Sequence, residues 1–433
     1  MRSTGNVSME GISSMLSARR IELPSWAFRG ADARADAPLA AHARRVKPVS
    51  PVARGPYEVL ADAAVVHHFT SSSPCVGLAF PCDATADYAD IACHAAELGL
   101  AVSSLYVTVG NRGGAACDVA HSQRSVRQQA QEQLRLAVKA ADELGAERVV
   151  LTLNHDARYP GQQELAARRD LLVAGLAAVY EQLPSGMSLA LSQSVTGTQA
   201  WVGEPLWRQT LSICEQLGRA ARLMVDTSVD RGVDTPPLSQ LATSDRLAGL
   251  ILPNPTLASS EFEVFSTLAE VLGAESAGAE LLVTLAPTLQ HHAGIAPLIG
   301  AVLAIQQLVV QVMQSDTEQL RHALLSEEID AAGVADLVGG CSRDVSVQLA
   351  ALRHELGVDA DPLAAYDRAC RARYQLTERR ASVQRAAERR LTTRRPDRAG
   401  RAAAARFPTA SRPAAAGVSH VRAGDPAVAD SAA

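Results

Sequence analysis

The chain has 433 residues, of which 47% are hydrophobic, 20% charged and only 4% aromatic. That apolar share suffices for a large core built mainly from Ala, Leu and Val, which excludes a collagen-like or wholly disordered chain. The net charge of −5 is unevenly placed: residues 376–433 carry 12 arginines against 5 acids, so the body before them is acidic and does not read as a nucleic-acid-binding surface.

No run of about 18 uncharged apolar residues occurs, which excludes a membrane span. The longest apolar stretch, Ile295 to Met313, is broken by Gln306, Gln307 and Gln311. The first 20 residues lack the apolar segment of a secretory signal. Seven cysteines, Cys75, Cys82, Cys93, Cys117, Cys214, Cys341 and Cys370, form no C-x-x-C pair. With an odd count and no export signal, they read as reduced thiols of a cytoplasmic protein.

In chain order, residues 1–54 read as an N-terminal arm, partly disordered, around the apolar island Arg20-Ile-Glu-Leu-Pro-Ser-Trp-Ala-Phe28. Trp26 and Phe28 are expected to plug the bottom of the domain or a neighbouring subunit. From 55 to 315, short continuous apolar runs alternate with longer amphipathic ones. The predicted strands are Val76–Phe80, Ala101–Val107, Arg148–Leu153, Ser188–Leu191, Arg222–Val225, Leu247–Leu252 and Glu280–Leu285. The helices between them are Asp87–Leu98, Ser125–Leu144, Gln163–Leu183, Pro205–Gly218, Glu261–Leu272 and Ala296–Gln314. Strands without polar alternation are buried on both faces, as in a parallel sheet. Gly99 and Gly145 stand where helices end.

Repeated strand–helix units predict an α/β protein with a (β/α)8 TIM barrel; a doubly wound open sheet is the alternative. Neither G-x-G-x-x-G nor a Walker loop follows the first strand. Residues 316–380 predict a helical extension, with pieces at Glu318–Leu325 and Val345–Leu356. Residues 381–433 predict a disordered Arg/Ala/Pro-rich tail. Between 376 and 412 there are 11 arginines and 3 acids with no aromatic ladder interleaved, so the tail reads as solvated chain rather than a nucleic-acid reader.

Several islands, in order, resemble the L-rhamnose isomerases of the sugar isomerase family, which have xylose-isomerase-like barrels. They are Ile21-Glu-Leu-Pro-Ser-Trp-Ala-Phe28, the segment from Lys47 to Thr70, Tyr159-Pro-Gly-Gln162, Val225-Asp-Thr227 and Asp361-Pro-Leu-Ala-Ala-Tyr366. Together they cover about residues 20–375. The resemblance implies an eight-stranded barrel interconverting an aldose and a ketose in carbohydrate metabolism. It also implies a divalent metal (Mn, Co, Mg or Zn) that holds two substrate oxygens and polarises the carbonyl. Ligands would project from strand C-termini.

The family's motifs fall on this chain as follows. Its metal-ligand glutamate falls at Ser192, and the lysine two residues later at Ser194. The aspartate of its V-D-T motif is kept as Asp226, while two histidines fall at Val229 and Ile251. Two second-metal aspartates fall at Ser259 and Glu261, and the last aspartate ligand at Thr284. The H-x-P-W segment reads Ala79-Phe80-Pro81-Cys82. Asp226 and Glu261 are therefore the residual metal-ligand candidates. Neutral hydroxyls bind a divalent cation poorly, so the resemblance implies a degraded metal site and a pseudoenzyme that binds a small sugar or a partner.

Two alternatives stand beside this reading. One is an active isomerase or epimerase with a site rearranged around Asp226, Glu261, His155 and His291; the other is a scaffold that makes contacts through its basic tail. Asp83, Asn154, Asp156, Asp230 and His292 also lie near predicted strand ends, where ordinary polar loop residues are the simpler account. Asp226 has a second reading as a carboxylate capping the following turn. His67 and His68 read as helix residues packed on the barrel, and Cys82 as a buried thiol. Extensions at both ends are compatible with a homo-oligomer.

Overall fold

The computed structural model describes residues 20–28, 55–82, 87–109, 118–153, 165–193, 206–227, 238–253, 264, 267–268, 282–286, 295–314 and 342–373. The chain falls into two units, residues 1–369 and 370–433. Apart from Cys370, the structure discussed below belongs to the first; of the second, residues 370–373 are described and are helical.

Eight parallel strands close into a barrel in sequence order, bearing out the predicted (β/α)8 architecture over the open sheet. They are β1 (Arg20–Pro24), β2 (Cys75–Ala79), β3 (Ala101–Val109), β4 (Arg148–Leu153), β5 (Ser188–Gln193), β6 (Ala221–Asp226), β7 (Leu247–Pro253) and β8 (Leu282–Ala286). Closure comes from β1, which pairs with β2 through Glu22 opposite Cys75 and with β8 through Glu22 opposite Thr284. The apolar island assigned above to the N-terminal arm is thus the first barrel strand, and the barrel does not begin at residue 55. The physical reason is closure: without β1, β2 and β8 would each expose a row of unpaired backbone groups.

Helices separate most strands: α1 (Pro56–Thr70), α2 (Tyr88–Glu97), α3 (Arg124–Glu143), α4 (Leu165–Tyr180), α5 (Leu206–Leu217) and α6 (Leu238–Thr243), with α7 (Ile295–Gln314) and α8 (Ser342–Glu355) after the last strand. Between β7 and β8, Val264 and Leu268 are helical and buried, four residues apart. Asp87 starts α2 by accepting the Ala89 and Asp90 amides on its carboxylate, at 3.1 and 3.2 Å. Gly99 and Gly145 follow the ends of α2 and α3 at φ +72° and +67°, the left-handed conformation that glycine adopts without strain.

Strand residues alternate between two cores. Outward side chains such as Leu105, Leu151, Leu189, Leu191 and Leu250 pack beneath the helices. Inward ones form a second cluster of Tyr106, Val150, Ala190, Met224, Ala248 and Ile251.

By length and composition α7 is apolar enough to cross a membrane over Ile295–Val312, which corrects the expectation that its glutamines disqualify it. In the structure 61% of that stretch is buried, and it packs beside α1. Gln306, fully buried, donates to the Thr70 carbonyl at 2.9 Å and to the Ser72 hydroxyl at 2.5 Å. The predicted helix Glu318–Leu325 and the Arg-rich tail lie outside the described residues.

Candidate functional site at the barrel mouth

In parallel barrels the strand C-termini open at one end, where loops and the ends of inward-facing residues meet. Four predicted positions fall there on consecutive strands: Ser192 on β5, Asp226 on β6, Ile251 on β7 and Thr284 on β8. The register brings the last three side by side, Asp226 opposite Ile251 and Ile251 opposite Thr284. All four are buried. Thr227 ties β6 to β7 by donating its amide and its hydroxyl to the Ile251 carbonyl, at 3.0 and 3.3 Å.

Thr284 leads into a polar cluster that sequence reasoning missed. The Glu22 carboxylate, with no exposed surface, sits inside the barrel. Its Oε1 accepts the Tyr106 hydroxyl at 2.5 Å and the Thr284 hydroxyl at 2.9 Å. Its Oε2 accepts the Ser103 hydroxyl at 2.5 Å. The Tyr106 and Thr284 hydroxyls are themselves 3.0 Å apart. Ser103 reaches inward because the β2–β3 register shifts between Val76 and Gly77, so that Val76 pairs with Val102 but Gly77 with Ser104. Three hydroxyl donors replace the water a buried carboxylate loses. Burial, and next the Glu22 charge, push the Tyr106 phenol well above its usual 10, so Tyr106 remains a donor throughout the neutral range. The sequence signal was a lone acid between Ile21 and Leu23 in an otherwise apolar run.

Trp26 follows directly after β1 in a short 3-10 turn, Ser25–Ala27. The turn is anchored where the Ala79 amide donates to the Ser25 hydroxyl at 3.2 Å. The half-buried indole stands edge-on to the Tyr106 ring, 4.7 Å between centroids at 89°, and covers the inward apolar cluster. The expectation that Trp26 plugs the bottom is therefore corrected: because Trp26 follows a barrel strand, it lies at that strand's C-terminal end, the mouth. Phe28 is buried in the outer core.

The opposite end is held by ions. Arg20, at the start of β1, makes a two-pronged ion pair with Glu147, one prong at 2.6 Å. Arg148 donates to Glu147 at 3.0 Å and to the Ala248 carbonyl at 2.6 Å. These hydrogen bonds, Arg20's foremost, hold the Glu147 carboxyl below its usual range.

A divalent cation asks for several oxygen or imidazole donors around one point. The four strand-end positions supply one carboxylate, two hydroxyls and a hydrocarbon, and the Thr284 hydroxyl is spent on Glu22. Among the described residues no three His, Cys, Asp or Glu side chains converge as a metal site. Ser194, Val229, Ser259, Glu261, Asp83, Asn154, His155, Asp156, Asp230, His291 and His292 lie outside the described residues. His67 is half-buried on α1, and burial pulls its imidazole below its ordinary value; its neighbour His68 is exposed. Cys82 is half-buried just past β2. The described cysteines, 75, 82, 93, 214 and 370, are all free thiols. Burial raises Cys75 to about 11 and Cys214 to about 12, so neither is a ready nucleophile.

No family model matches the chain. It is 23% identical over 234 residues to a "probable sugar isomerase" of Rhizobium meliloti (strain 1021), and the match covers 51% of this chain and 51% of that relative. The chain thus matches about half the length of its curated relative. Among solved structures, an L-ribulose 3-epimerase superposes with a TM-score of 0.50 at 13% identity, covering 71% of this chain and 98% of the other. A D-psicose 3-epimerase from Clostridium cellulolyticum H10 gives a TM-score of 0.48 at 10% identity, covering 68% and 99%. The structural likeness gives the barrel fold, and the sequence likeness to the probable sugar isomerase extends over about half of each chain.

Proposed function

We propose that this chain is a sugar-isomerase-family barrel, similar to L-rhamnose isomerase, that binds a monosaccharide at its mouth without the family's metal-dependent aldose–ketose conversion. The observation that carries the reading is the strand-end quartet: Ser192, Asp226, Ile251 and Thr284 offer a single carboxylate, and Thr284 donates to Glu22. Hydrogen transfer between adjacent sugar carbons needs the carbonyl oxygen to be stabilised as charge develops on it. One carboxylate with neutral hydroxyls holds a divalent cation too weakly for that role. What remains suits recognition. Half-buried Trp26 offers an apolar ring to the C–H face of a sugar, while Ser192 and Asp226 lie at neighbouring strand ends as polar groups.

The test is calorimetric titration of the purified chain with L-rhamnose and L-ribulose, with metal analysis and a turnover assay with and without chelator. The expected result is saturable sugar binding, no stoichiometric metal and no chelator-sensitive turnover. Stoichiometric Mn, Co, Mg or Zn that disappears in Asp226→Ala, together with turnover abolished by chelator, would overturn the reading in favour of an active isomerase. Absence of any saturable signal would favour a scaffold.

A further inference from the structure

The inward half of the barrel is chemically divided. Strands β4 to β7 contribute Val150, Ala190, Met224, Ala248 and Ile251 to an apolar cluster, beside the polar Ser192 and Asp226 at the ends of β5 and β6. Strands β1, β3 and β8 contribute Glu22, Ser103, Tyr106 and Thr284, all joined by hydrogen bonds. Tyr106 belongs to both halves: its hydroxyl is held by the polar cluster and its ring packs in the apolar one. Trp26 rests on that ring.

We infer that Glu22 is a positioning residue for the mouth, acting through Tyr106 to fix the Trp26 indole as a sugar platform; this rests on the sugar-binding reading above. The chain of support is short. Glu22 Oε1 takes both the Tyr106 and the Thr284 hydroxyls, so one oxygen pins β3 and β8 to β1. Gly77 leaves room for the ring: a Cβ there would stand 2.5 Å from Tyr106 Cε2 and 2.8 Å from Glu22 Oε1. With its hydroxyl bound and its edge confined, the phenol ring has one orientation, and Trp26 meets it at a right angle. Glu22 itself has no exposed surface. Its effect on binding is preorganisation, which removes the cost of ordering the platform when sugar arrives.

The arrangement makes an unusual demand. Both hydroxyls that matter converge on Oε1, so Glu22→Gln, oriented with its carbonyl there, keeps the clamp, and its amide nitrogen donates to Ser103. Glu22→Met keeps the shape and removes the acceptor. Tyr106→Phe keeps the ring and removes the donor. The experiment measures the near-UV circular dichroism of Trp26, taken as the difference between each protein and its Trp26→Phe counterpart, together with the L-rhamnose dissociation constant. Tyr106→Phe and Glu22→Met are expected to lower the Trp26 signal at least twofold and weaken binding about tenfold, roughly the worth of one buried hydrogen bond. Glu22→Gln is expected to retain both.

Lower melting temperatures with an unchanged Trp26 signal and unchanged affinity would overturn the inference, since they describe a structural role alone. A Glu22→Gln variant that behaves like folded Glu22→Met would also overturn it, because acceptor geometry would then not suffice. If Glu22→Met does not fold, Tyr106→Phe decides. If the wild type binds no sugar, the functional reading fails, while the Trp26 signal still decides whether Glu22 and Tyr106 position the indole.

Discussion

Gly77 lies so close to Tyr106 that a methyl group on its α-carbon would stand 2.5 Å from the ring carbon Cε2. The two are joined through β2–β3 pairing, and Glu22 closes the third side of the space, with Oε1 2.8 Å from the same point. Gly77→Ala must therefore displace either a ring fixed by its hydroxyl or a carboxylate held by three donors. Overpacking of this kind costs about 1–3 kcal/mol. Denaturant unfolding of the variant is expected to show a loss in that range; an unchanged midpoint would mean that the ring moves freely.

Acid should release the ion pair at the barrel's N-terminal end. Hydrogen bonds from Arg20, and then Arg148, hold Glu147 below its ordinary value of 4.5. A carboxyl depressed in the folded state stabilises the fold above its unfolded value and loses that contribution as pH falls through the folded one. The melting-temperature gap between wild type and Glu147→Gln is therefore expected to be widest near neutrality and to close below pH 4.5. Because 44% of the Glu147 side chain is exposed, the gap should also shrink at high salt. A gap constant from pH 7 to 3 would contradict the pairing.

Burial on the strands sorts the cost of truncation. Leu151 points outward from β4 with no exposed surface, whereas Val347 on α8 is 71% exposed. Leu151→Ala is expected to cost about 2–5 kcal/mol through lost transfer energy and the cavity it leaves. Val347→Ala should stay within about 0.5 kcal/mol. Equal effects in a urea titration would argue against the outer-core assignment of β4.

The buried glutamine of α7 is a third kind of contact. Gln306→Leu removes the donor to Thr70 and Ser72, which close the end of α1. Leaving these acceptors without that partner in the interior is expected to cost about 1–3 kcal/mol despite the more apolar side chain. Hydrogen exchange at the C-terminal turn of α1 should quicken in the same variant; protection equal to wild type would mean water replaces the amide.

Seven of the eight strands were legible in the sequence because a parallel strand buried on both faces leaves a continuous apolar run, as Arg148–Leu153 shows residue for residue. Helices α2, α3, α5 and α7 were legible within a residue or so at each end, because their apolar spacing and flanking glycines are local signals. The strand-end positions Ser192, Asp226, Ile251 and Thr284 came from a resemblance, and the register places them on four consecutive strands. Arg20–Pro24 was not read as a strand: five residues isolated in a polar arm carry no periodicity, and only closure against β2 and β8 makes them one. The same holds for Glu22, Ser103, Tyr106 and Thr284, whose hydrogen bonds span up to 262 residues of chain. Local composition fixes which segments are strand or helix, since propensity and period act over a few residues. Which inward side chains meet is decided by tertiary closure, since the register of distant strands sets those distances.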